Sequence, residues 1–145
     1  MDGRRAFRAG ALLSTLVFTA GFALGSFREI FVRPYLGPDA SRLIELPLMI
    51  GISWFAASFV VRRGGPAGSR MWLRVGIVAF LLLIVAELGL GEVLFRRGLM
   101  SFFRDAMTLP GALSFLAQAL LVVMPLWVAR KTGHLDEGQR RRSPP

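Results

Sequence analysis

VGIVAFLLLIVAELGLGEVLF, residues 75–95, is the stretch on which the fold turns. Its first twelve residues are uniformly apolar, Glu87 arrives with the span partly complete, and Glu92 follows five residues later. At about 1.5 Å of helical rise per residue, Glu87 lies roughly 20 Å from Arg74 and about 15 Å from Arg97, close to the midplane of a hydrocarbon layer about 30 Å thick. A charged side chain facing lipid at that depth costs at least ~2.5 kcal/mol, so this acid is expected to face protein or water. Other helices must supply the shelter.

The rest of the chain provides them. The 145 residues are 54% hydrophobic, and the apolar content is strung into four runs, near 10–27, 43–61, 72–95 and 111–129. A soluble domain of this size does not concentrate its apolar residues in runs of about twenty. The sequence therefore predicts an all-α polytopic membrane protein, an up-down bundle of four transmembrane helices. One membrane domain is expected at 1–131, followed by a polar tail at 132–145 expected to be disordered and cytoplasmic. There is no Cys, hence no disulfide. A net charge of +9 would point to nucleic acid in a soluble protein. Here the basic residues collect at the ends of apolar runs, where they set topology and meet headgroups. The expected partner is the lipid bilayer, not nucleic acid.

Arg4, Arg5 and Arg8 precede the first run, and Ala23-Leu24-Gly25 offers a small-x-small cleavage pattern typical of a signal peptide. The apolar run continues past it to Phe27 and carries Gly10, Ser14, Gly21 and Gly25 along one stripe, which favours a retained helix. Gly21 and Gly25 form a G-x-x-x-G, a spacing that lets helices approach closely. FREIFVRPYLGPDASR, residues 27–42, reads as a connection, because Arg33-Pro34 and Gly37-Pro38 break helix. Pro47 is expected to bend the second span modestly and Trp54 to pack. Residues 95–111, FRRGLMSFFRDAMTLPG, fit either a short helix in the interface plane or an irregular connection with aromatic anchors. The single histidine, His134, falls in the polar tail, where no metal or acid–base role is expected.

With four spans, twelve Lys and Arg flank the side that carries both termini and six flank the other. The positive-inside rule then puts both termini in the cytoplasm. Arg28, Glu29, Arg33, Glu45 and Glu92 fall at the opposite boundary, and Gln118 enters from that side to a depth of roughly 10 Å. Glu87 lies about one turn deeper.

At GFALGSFREIFVRPYLG (21–37) and ELPLMIGISW (45–54) the chain resembles a family of small four-helix integral membrane proteins of bacteria to which no activity is attached. The resemblance implies a bacterial inner-membrane protein and transfers no catalytic residue. Small multidrug transporters share the four helices and a membrane-embedded Glu, but carry that Glu in the first helix, which here has none.

Arg28, Glu45, Glu87, Glu92 and Gln118 are the candidate ligand-binding or proton-exchange residues, with Gly21 and Gly25 as helix-packing residues. One reading is a structural polar network, with Glu87 bonded to Gln118 and Glu45 or Glu92 paired with Arg28. A second is binding or transport of a lipid or small amphiphile, its headgroup meeting the acids and its phosphate meeting Arg28 and Arg33. A third is an accessory or assembly subunit that docks through the small-residue stripe, and a homo-oligomer would equally shelter Glu87. A lipid-modifying enzyme with Glu87 and Glu45 as acid and base ranks below these. No H-E-x-x-H, G-x-S-x-G or P-loop pattern is present, and no metal or cofactor is expected.

Overall fold

A computed structural model describes residues 2–95, 100, 103–104 and 107–135, without the side chains of residues 2 and 91–95. Helix α1 spans Asp2–Phe27 and passes through a π-helical turn, Arg28–Val32, into α2, Arg33–Gly64. Helix α3 spans Ser69–Phe95 and α4 spans Leu109–Lys131. No strand occurs among the described residues. Three continuous helical runs, Gly3–Gly64, Ser69–Leu90 and Leu109–Lys131, are long and apolar enough to cross a membrane. The sequence predicts four separate spans; the described residues give three such runs, because residues 28–42 are helical apart from Gly37 rather than a loop. Pro34 falls in the first turn of α2, directly after the π turn, the part of a helix that accepts proline best. The π turn absorbs Arg28–Val32, with the Arg33 N–H donating to the Arg28 carbonyl.

One residue interrupts the helical path. Gly37 sits at φ 79° and ψ 171°, a region open to glycine and strained for other residues. The chain folds back there. Gly21 lies beside Met49 and Gly25 beside Glu45, while the Arg5 guanidinium donates to the Gly64 carbonyl at 3.2 Å. Sequence number rises along α1 as it falls along α2, so the two arms are antiparallel. Pro47 does not take α2 out of helical dihedrals.

Helix α1 packs on α2 and α3, and α4 packs on the same two, which leaves α2 and α3 at opposite corners. The core is densest near the Gly64–Ser69 connection. Trp72, Leu13, Val61, Val75 and Val128 are fully buried there, with the Trp72 ring against Gly64. Gly76 faces the backbone of Val122 so closely that a Cβ on it would lie 2.6 Å from the Val122 carbonyl carbon. A Cβ on Gly10 would be nearly as tight, 2.7 Å from Val78 Cγ1. The same end is closed by the chain beyond α4. Thr132–Leu135, expected as the start of a free tail, makes a turn in which the His134 carbonyl accepts from the Ala67 N–H at 3.3 Å and Leu135 packs on the core. The remaining tail, and the interfacial helix expected within 95–107, lie largely outside the described residues.

The outward faces are apolar. Phe55, Phe59, Leu81, Val85, Leu116 and Val123 are exposed, as helices in contact with hydrocarbon require. Trp54 packs edge-on against Trp127 with ring centroids 5.1 Å apart, and Lys131 Nζ sits 5.5 and 4.9 Å from their centroids.

Candidate functional site

Away from the tight end, the helices part around a cavity of about 750 Å³ that all of them line, together with the π turn. Its extent follows from the helical register. On the arm of α2 beyond Gly37 the lining runs from Pro38 to Ser53, roughly 22 Å of rise. The lining residues Val17, Leu83 and Leu121 are buried and form an apolar floor. Glu29, Ile30 and Arg33 are exposed and mark the mouth, beside the Gly37 bend.

Gly21 and Gly25 line this cavity on α1. A Cβ on Gly21 would approach only the end of the Met49 side chain, its methyl carbon at 3.2 Å, and one on Gly25 would lie 3.9 Å from Glu45 Oε1. The G-x-x-x-G does face another helix of the same chain. Its missing side chains create volume, whereas the closest helix approaches fall at Gly76 and Gly10.

Polar groups are layered between mouth and floor. Arg28, brought over α2 by the π turn, donates from Nη1 to Glu45 Oε2 at 2.7 Å. Both side chains are largely buried, 22% and 16% exposed. Arg28 Nη2 also lies 3.8 Å from Glu29 Oε2, and Glu29 pairs with Arg33 one helical turn on. Deeper, Gln118 on α4 donates from Nε2 to Glu87 Oε1 on α3 at 2.6 Å. Gln118 is set at this height by the start of α4, where the Thr108 hydroxyl accepts from the Gly111 N–H at 3.2 Å as an N-cap. Ser114, one turn nearer that start, returns its hydroxyl to the Pro110 carbonyl. Leu83 and Leu121 lie about one turn below Glu87 and Gln118, so this bond sits just above the floor.

Four of the five candidate residues, Arg28, Glu45, Glu87 and Gln118, therefore line one cavity. The Glu92 side chain lies outside the described residues. A residue outside the candidate set, Arg42, joins them on the lining. It has no ion pair or hydrogen bond among the described residues. The signal was its position three residues before Glu45, which puts both on one helical face once α2 is known to begin at Arg33. Reading 27–42 as a loop concealed it.

Among the described residues no group of three or more His, Cys, Asp or Glu is arranged to hold a metal ion. The arrangement can bind polar and apolar parts of one molecule at different depths. No protein-family model, curated protein or solved structure matches the chain, so the resemblance to small bacterial four-helix proteins gains no support from them.

Proposed function

We propose that this chain is a bacterial inner-membrane protein of four passes, with both termini in the cytoplasm, that holds a single-chain amphiphile in its cavity. The observation that carries the reading is the gradient along that cavity, from charged residues at the mouth through Glu87–Gln118 to an apolar floor. A volume of about 750 Å³ is of the size that encloses one drug-sized molecule. Phe22 and Ile50 are apolar, exposed residues of the cavity lining, which supports contact with an acyl chain. The fold back at Gly37 supports four passes, since α1 and the arm beyond Gly37 are each longer than the roughly 20 residues a crossing needs. The excess of Lys and Arg on the side of the termini supports the orientation. The subunit reading loses its specific contact face, because Gly21 and Gly25 are turned toward α2 and the cavity.

The test is the position of crosslinks from a single-chain lysophosphatidylcholine carrying a photoreactive group at its acyl terminus, in phosphatidylcholine vesicles. Crosslinks are expected at the floor, on Val17, Leu83 and Leu121, and are expected to vanish in Ser53→Trp, which fills the deep end. Crosslinks confined to outward residues such as Phe55, Leu81 and Leu116 would reduce the cavity to a packing feature and end the proposal.

A further inference from the structure

Resting on that reading, we infer that the amphiphile held here has an anionic headgroup, bound at Arg42. The inference comes from which charges in the cavity are already engaged. Three Arg and three acids line it: Arg28, Arg33, Arg42, Glu29, Glu45 and Glu87. Arg28 is held by Glu45, and Arg33 by Glu29. Those two pairs cancel at the mouth. Glu87 takes its hydrogen bond from the neutral amide of Gln118, just above the floor. Arg42 has no acidic partner among the described residues, and it lies one turn nearer the mouth than Glu45.

Among the described residues that line the cavity, the charge left without an ion pair at headgroup height is thus positive; Asp39, three residues before Arg42, is exposed and not part of that lining. A cationic headgroup would meet Arg42 with both nearby acids occupied, so it would have to break an existing pair. An anionic one leaves both pairs intact and gains a charge-assisted hydrogen bond, bidentate for a phosphate or carboxylate. The distance along α2 from Arg42 to Ser53 is roughly 16 Å by helical rise, which leaves an acyl chain room to reach the floor.

Competition against the floor crosslink tests this. Competitors with one acyl chain length are lysophosphatidylglycerol, a fatty acid, lysophosphatidylcholine and an alkyltrimethylammonium. The anionic pair is expected to compete about tenfold better than the zwitterion and better still than the cation. Whichever of the pair is the stronger distinguishes phosphodiester from carboxylate. Arg42→Gln is expected to erase the anionic advantage, with helical circular dichroism and elution in detergent matching wild type to show that the variant is folded. Arg42→Lys is expected to restore most of the advantage. Equal competition by all headgroups, a preference for the cation, or an anionic advantage that survives Arg42→Gln overturns the inference and leaves the amphiphile reading standing. Absence of floor labelling from wild-type protein removes both.

Discussion

The two ends of this helical assembly use small residues in opposite ways. Near the Gly64–Ser69 connection, Gly76 and Gly10 let backbones come together, and Trp72, Val75 and Val128 are buried around them. Near the Gly37 bend, Gly21 and Gly25 stand beside the ends of the Met49 and Glu45 side chains rather than beside backbone, and the space they leave belongs to a polar cavity. A glycine on an apolar helix is therefore a statement about space, and only its neighbour decides whether that space is closed by another backbone or left open.

The sharpest way to break this contrast is to put the same side chain at both ends. Gly76→Leu places a Cβ on the Val122 backbone, which cannot swing aside as a side chain can. It is expected to cost at least the ~1–3 kcal/mol of ordinary overpacking, read as a lower temperature of aggregation in detergent or loss of folded protein. Gly21→Leu meets only the end of Met49 and then projects into the cavity, so its stability is expected to stay within about 1 kcal/mol of wild type. Equal destabilisation at the two positions would erase the distinction.

A finer contrast lies within the mouth itself, between its two ion pairs. A double-mutant cycle on Arg28 and Glu45, both largely buried, is expected to give a coupling near the ~1.5–3 kcal/mol of a hydrogen bond to a charged group. The same cycle on Glu29 and Arg33, each 48% exposed, is expected to give about 0.2–1 kcal/mol, since water screens it. Similar values would mean the Arg28–Glu45 pair is as wet as its neighbour. The smallest effect belongs to the α2–α4 seam. Lys131→Met removes a cation from the Trp54 and Trp127 rings and is expected to cost about 0.5–1 kcal/mol, with a shift in tryptophan emission.

Much of this organisation was legible in the sequence. Runs of apolar residues announced helices that cross a membrane, because hydrocarbon leaves the backbone no partner but itself. Glu87 announced a need for shelter, and spacing along the last run put Gln118 within reach of it; the two are hydrogen-bonded. The Arg28–Glu45 pair was likewise among the expected partners. The turn expected at Gly37-Pro38 is present at Gly37, but the helical geometry on either side of it, which puts Arg42 on the cavity face of α2, was not legible. A helix start accepts proline, and sequence does not say where a start falls.

By itself, then, the sequence determined that the chain is helical and apolar enough to live in a membrane, and that its few intramembrane polar groups must seek one another. Those are consequences of hydrophobic length and of the free energy of burying charge, which are properties of composition and spacing. Only the tertiary structure decided that α2 and α3 stand at opposite corners, that Gly76 is a contact while Gly21 is a wall, and that Arg42 lines the cavity without an ion pair among the described residues. These depend on which helix faces which, and that is settled by the fit of many surfaces at once, which no single helix encodes.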